Sequence, residues 1–252
     1  MTRIVLVHGA FAGAWCWEPA LAGIKAGGHQ PEPIDLPGAG EDRTPVEEVS
    51  LDAYAARICE TLAAGEPAVL AGQSMGGMAI TQAAARCPER VLALVYVAAF
   101  LPAEGQSLGE LVSYPEAAED QVQANLIVEG DPPVGRLTPD GHRIAMLGCC
   151  TPEQVVWATA RLGPQPVAPF AGQVTVPEAN REAFEALPRA YILCSRDRAI
   201  PPAMQRRMLE ERGCDQVIEI AADHWPWVSR TQEFNRALNR IVASVATSPR
   251  RE

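Results

Sequence analysis

Short apolar runs recur along this chain, and most are followed at once by a segment that reads as a helix. Arg3–Val7 (RIVLV) reads as a buried strand and residues 15–26 as a helix closed by Gly27-Gly28. Residues 31–36 form a second strand ending in a Pro-Gly-Ala-Gly turn, and 51–64 a helix with Ser50 as its N-cap. Strand 68–73, helix 75–86 and strand 91–97 follow. Strand Arg189–Cys194, helix 201–212, strand Gln216–Ile220 and helix 229–246 complete the series. Strands joined by helical crossovers run parallel, with right-handed connections. Six of them predict an α/β fold with a mostly parallel sheet and helices on both faces.

The alternation breaks once. From about 102 to 188 the chain is polar, helical in pattern and rich in Pro and Gly. One helix there is well marked: Thr151 caps it, Pro152 takes its first position, Gln154 closes a capping box and Gly163 ends it. This divides the chain into a core, 1–102 and 188–252, and a mostly helical cap, 103–187. Ligands in such sheets sit outside the carboxyl ends of the strands, where the insert forms a lid.

The chemistry concentrates at that edge. Gly72-Gln73-Ser74-Met75-Gly76 matches G-x-S-x-G, with a buried strand ending at Gln73 and a helix beginning at Met75. The sharp turn holds the Ser74 hydroxyl above the sheet. A serine hydroxyl needs a base. Four histidines are available: His8 at the end of the first strand, His29 before the second, His142 in the insert and His224 after the last strand. Only His224 combines the right edge with the order Ser…Asp…His. Asp197, in the loop after the fifth strand, is the acid that would hold the imidazole. Asp223 is its rival, but a neighbour in sequence usually points away from the ring. The low-bulk loop His8–Gly13 supplies an oxyanion donor: the N–H groups of Ala10 and Met75 are assigned that role, with His8 bracing the loop.

These residues resemble a known family. VLVHGAFAGAW (5–15), AGQSMGGMA (71–79), VYVAAFLP (95–102), YILCSRDRAIPP (191–202) and the Asp223-His224 loop are together similar to the plant methylesterase and hydroxynitrile lyase family of α/β-hydrolases, with its bacterial esterase relatives. The resemblance implies the α/β-hydrolase fold and a cofactor-free Ser74–His224–Asp197 ester hydrolase. It also implies an apolar pocket under the cap, and a homodimer. Phe11, Trp157 and Trp225 are the expected pocket residues, with Met75, Phe100 and Leu101 nearby. The family's lyases carry a lysine after the histidine and a threonine in the first-strand loop, where this chain has Trp225 and Gly9. A tryptophan cannot stabilise departing cyanide, so an esterase is expected rather than a lyase. The expected substrate is a methyl or other short alkyl ester of an aromatic or polyketide-like acid. Cleavage of a C–C bond, lactone or thioester on the same triad, and a receptor-like hydrolase, stay open as alternatives.

Bulk properties narrow the rest. The net charge of −10 and pI near 5.0 oppose a nucleic-acid partner, and Arg206-Arg207 and Arg250-Arg251 are only pairs. No run approaches the length of a membrane span, and Ile4–Val7 is too short for a signal peptide. Seven scattered cysteines without a C-x-x-C argue against a disulfide framework and a metal site, and predict a reduced, cytoplasmic chain. Only the tail from Thr247 has the composition of an unordered end.

Overall fold

In the computed structural model residues 1–138 and 140–247 are described. Of the tail named above only Thr247 belongs to them, as the last residue of a helix; the Arg250-Arg251 pair lies outside the described residues.

The strands are β1 (Arg3–Val7), β2 (Gln30–Ile34), β3 (Ala68–Ser74), β4 (Val91–Ala99), β5 (Leu126–Glu129), β6 (Val134–Leu137), β7 (Gln165–Pro166), β8 (Arg189–Cys194) and β9 (Gln216–Ile220). The main sheet has six, in the order β2-β1-β3-β4-β8-β9, and every pairing is parallel. The principal helices are α1 (Glu18–Ala26), α2 (Leu51–Ala63), α3 (Gly76–Arg86), α4 (Pro152–Thr159), α5 (Pro202–Arg212) and α6 (Thr231–Thr247).

Alternation along each strand sends side chains to two cores. Val5 and Val7 join Tyr54 and Ile58 of α2, Met78 of α3 and Met204 of α5 on one face. Ile4 and Leu6 join Trp17, Ile24 of α1, and Phe234 and Leu238 of α6 on the other. Each such side chain, fully buried, contributes roughly 1.5–3 kcal/mol. This two-sided burial makes the strands read as continuous apolar runs. Ser50 caps α2 through a bond from the Ala53 N–H, and the Thr151/Gln154 capping box is formed.

Beyond shifts of up to three residues at element ends, the structure differs from the sequence expectation in three places. Helix α4 stops at Thr159, and Gly163 instead donates its N–H to the carbonyl of Phe11 (2.9 Å). The mostly helical cap also holds strands that the sequence reading does not include: β5, β6 and β7 form a three-stranded antiparallel sheet inside it. Cys59 of α2 and Cys87, just beyond α3, are joined as a disulfide, so the expectation of a reduced chain does not hold for that pair. Their positions on packed helices bring together thiols that are scattered in sequence.

Candidate active site

Ser74 ends β3 with φ of 54°, a left-handed conformation that costs an L-residue about 1–2 kcal/mol. The turn is held by its surroundings. A Cβ on Gly72 would lie 2.6 Å from the Gly76 carbonyl oxygen, so strand and helix meet backbone to backbone. The Ser74 carbonyl accepts the Phe100 N–H (3.1 Å). Ser74 keeps partial exposure at the carboxyl edge of the sheet.

His224 lies in the loop after β9, at the same edge, and is 1% exposed. Its Nδ1–H donates to Oδ2 of Asp197 at 2.8 Å. The Asp197 carboxylate is fixed in turn: Oδ1 accepts the N–H groups of Ala199 (2.8 Å) and Ile200 (3.0 Å), and Oδ2 accepts Nε2 of Gln205 (3.2 Å). Gln205 sits on α5 and also bridges both backbone groups of Cys194, the last residue of β8. Across the site, Gln73 donates from Nε2 to the His224 carbonyl (3.4 Å) and so links the residue before Ser74 to the histidine.

The loop after β1 is built around one peptide plane. His8 is fully buried; its Nδ1–H donates to the Gly9 carbonyl (2.8 Å), and its Nε2 accepts the Leu36 N–H (3.1 Å). That pair of roles requires the neutral ring. Burial holds the imidazole below its usual range, against the opposing pulls of the Gly9 carbonyl and the Asp35 carboxylate. A peptide is planar and trans. Fixing the Gly9 carbonyl therefore sends the Ala10 N–H the opposite way. Among the described residues, neither the Ala10 N–H nor the Met75 N–H has an acceptor within the protein. The Met75 N–H also stands at the positive end of α3.

The rival acid, Asp223, faces elsewhere. Its carboxylate accepts the N–H of Cys149 (2.7 Å) and the hydroxyl of Ser229 (2.6 Å), with the Cys150 thiol at 3.6 Å. Of the remaining histidines, His29 precedes β2 at the opposite edge of the sheet, while His142 of the cap packs edge-on against Phe11 with ring centroids 5.8 Å apart. Phe11 is itself only 3% exposed. Trp157 meets Trp15 edge-on (5.3 Å), and Trp15 meets Trp225 (5.8 Å), which also stacks on Trp227. The guanidinium of Arg161 lies over Trp157. Of the three expected pocket residues, Phe11 and Trp225 are thus buried in packing and Trp157 is half-buried beside Trp15.

Sequence reasoning missed Gln205, Trp15 and the cap contacts. The cap is bonded to three loops at this edge: Gly163 to Phe11, Gln121 N–H to the Arg198 carbonyl (2.8 Å) and Cys149 to Asp223.

A parallel sheet with a strained serine at the end of a strand, and a buried His–Asp pair at the same edge, defines a hydrolase class. The model of the alpha/beta hydrolase family matches residues 4–237, and the chain belongs to that family. Norfluorocurarine synthase 2 from Strychnos sp is 30% identical, with 96% of each chain covered. Methyl jasmonate esterase 1 from Vitis vinifera is 28% identical over 96% of this chain and 97% of its own. The crystal structure of polyneuridine aldehyde esterase superposes with a TM-score of 0.84 at 27% identity, covering 96% of this chain and 99% of that one.

Proposed function

We propose that this protein is a serine hydrolase that cleaves a small, largely apolar carboxylic ester through an acyl-Ser74 intermediate. The 2.8 Å bond between His224 and Asp197, at the edge where Ser74 is half-buried, carries this reading. With Nδ1–H given to Asp197, Nε2 of His224 is the free basic nitrogen. It takes the Ser74 proton as Oγ attacks the ester carbonyl. The Ala10 and Met75 N–H groups receive the negative charge that develops on the carbonyl oxygen. The C–O bond then breaks, and the alcohol leaves with the proton from His224. Water, deprotonated by the same nitrogen, releases the acid and restores Ser74.

The surroundings of the site support a reading of the acyl and alcohol groups. Trp157 and Phe11 lie on elements that flank this edge, and the half-buried Trp15 and Trp157 offer a mainly aromatic surface with one cation, the Arg161 guanidinium, over their rings. Methyl or other short alkyl esters of an aromatic or polyketide-like acid suit it. Methyl jasmonate esterase 1, a relative by sequence, is named for a methyl ester, which supports the small alcohol. Trp225, 1% exposed, occupies the position at which the lyases carry their lysine, so no cation stands there to receive cyanide.

The test is hydrolysis of nitrophenyl acetate and a panel of aromatic methyl esters, with mass spectrometry of the intact protein to read the acyl group on Ser74. Ser74→Ala abolishes both turnover and acylation; full activity in that variant would sink the mechanism.

A further inference from the structure

Phe11 follows the oxyanion donor Ala10 and has φ of 67°, a left-handed conformation that a bulky L-residue resists. The cap grips both of its backbone groups. Gly163 donates its N–H to the Phe11 carbonyl (2.9 Å), and Oε1 of Gln165 accepts the Phe11 N–H (3.3 Å). Gln165 is 1% exposed, and its amide orientation is determined. Nε2 lies 2.8 Å from the Pro166 carbonyl, which can only accept, and 3.0 Å from the hydroxyl of Tyr54 in the core. The NH2 group therefore faces Pro166 and Tyr54, and the oxygen faces Phe11.

The consequence falls on Ala10. Its N–H belongs to the peptide whose carbonyl His8 holds from the core side. The next peptide, carrying the Phe11 N–H, is held by Gln165 from the cap side. Ala10 has only two soft dihedrals, and they relate these two planes. The His8 bond sets the general direction of the Ala10 N–H but holds its plane at one point and leaves it free to tilt; with the second plane also bonded, that direction is narrowly set. Without Gln165, the second plane is free to turn and Phe11 to relax from its left-handed conformation.

From this geometry we infer that Gln165 is a positioning residue for the oxyanion hole, so that the hole is complete only when the cap segment 163–166 is docked on the loop after β1. The inference rests on the acyl-Ser74 reading above. It makes the cap part of the charge-stabilising apparatus as well as a cover.

Gln165→Leu keeps the side-chain size and removes both ends of the bridge. Losing an oxyanion donor costs about 10²–10³ in kcat, and displacing one costs less. The expected result is a fall in kcat of about 10- to 100-fold with KM within about threefold of wild type. A trifluoromethyl ketone places an oxyanion in the hole when Ser74 adds to it. Its affinity falls by the same factor as kcat/KM, while that of the product acid does not change. A folded Gln165→Leu protein with wild-type kcat overturns the inference. So does a loss confined to KM and product binding with ketone affinity retained. If Gln165→Leu does not fold, Tyr54→Phe removes one anchor of the amide; a two- to fivefold fall in kcat at constant KM is then expected, and an unchanged kcat overturns the inference. Wild type and Ser74→Ala run beside each variant: a wild type with no Ser74-dependent turnover indicts the proposed function and not Gln165.

Discussion

The carboxylate of Asp223 accepts the backbone N–H of Cys149 at 2.7 Å, which ties the residue preceding His224 to the cap. Burial pushes this carboxyl above its ordinary value, while bonds from Ser229, Cys149 and Trp225 pull it back. A raised folded-state value means the native chain holds the proton more readily than the unfolded chain. The associated stability is complete below the ordinary value of 3.8 and is lost as the pH rises through the raised one. Asp223→Asn removes this dependence. The difference between wild-type and Asp223→Asn urea midpoints therefore shifts toward the wild type as the pH falls from about 6.5 to about 4. A difference that stays constant with pH would contradict the direction assigned to Asp223.

Asp197 and Gln205 separate catalytic orientation from stability. Asp197→Asn keeps the shape but presents an amide to His224, and a wrong tautomer in such a triad lowers kcat by about 10⁴. Gln205→Leu leaves the His224–Asp197 bond in place but strands the N–H of Cys194 and the carbonyl of Ile200 in buried positions. Each stranded group costs about 1–3 kcal/mol. Its expected signature is a melting temperature lowered by several degrees with a much smaller loss of kcat than Asp197→Asn shows. Thermal melts and steady-state kinetics on both variants read the contrast.

The inner strands of the main sheet were legible because both faces are buried: Arg3–Val7 and Arg189–Cys194 have the bounds that their apolar runs predict, and the edge strand Gln216–Ile220 keeps its predicted bounds although Val217 and Glu219 are exposed. Ser50 and Thr151 were legible as caps because the capping bond is local in sequence. The antiparallel sheet of the cap had a signal that went unread. LIVE and VGRL flank Gly-Asp-Pro-Pro, a hairpin pattern in a region otherwise helical. The buried glutamines had none. Gln205 and Gln165 act on partners that only the folded chain brings near, and a lone Gln among helix or loop residues reads as surface. Adjacency to His224 sets Asp223 apart from the triad acid in the sequence, and in the fold its carboxylate bonds Cys149 and Ser229.

His8 makes a prediction that needs no substrate. Its Nε2 accepts the Leu36 N–H, so protonation at that nitrogen would break a buried bond. Burial lowers its value from 6.5; His29 and His142 are lowered too, chiefly by burial. As the pH falls below 6.5 the unfolded chain takes up protons that the native chain refuses. The stability contributed by a neutral His8 is thus full above that pH and is lost as the pH drops toward the lowered value. The slope is at most about 1.4 kcal/mol per pH unit for one such group. By ring-nitrogen NMR, His8 remains the neutral Nδ1–H tautomer from about pH 7.5 to about pH 6. An Nε2–H tautomer, or a normal titration, would remove His8 as the brace of the Gly9 carbonyl.

Gly9 decides whether this site accepts the lyase arrangement. A Cβ there would lie 2.3 Å from Oε1 of Gln73 and 2.7 Å from the Cβ of Ser74. The Gln73 side chain can move, but the Ser74 Cβ is set by a strained backbone whose carbonyl accepts the Phe100 N–H and whose flanking Gly72 and Gly76 meet backbone to backbone. Gly9→Ala therefore displaces Ser74 or the loop after β1, and a displacement near 1 Å costs about 10² in rate. Adding Gln73→Ala relieves the first clash and leaves the second, so it restores little of the loss. For the same reason the pair Gly9→Thr and Trp225→Lys yields no cyanohydrin cleavage: the threonine has no space, and the lysine replaces a ring packed between Trp15 and Trp227. Ester turnover in Gly9→Ala and Gly9→Ala/Gln73→Ala, with a cyanide assay of the Thr/Lys pair, checks this. Wild-type activity in Gly9→Ala would show that Ser74 is not confined by the loop after β1.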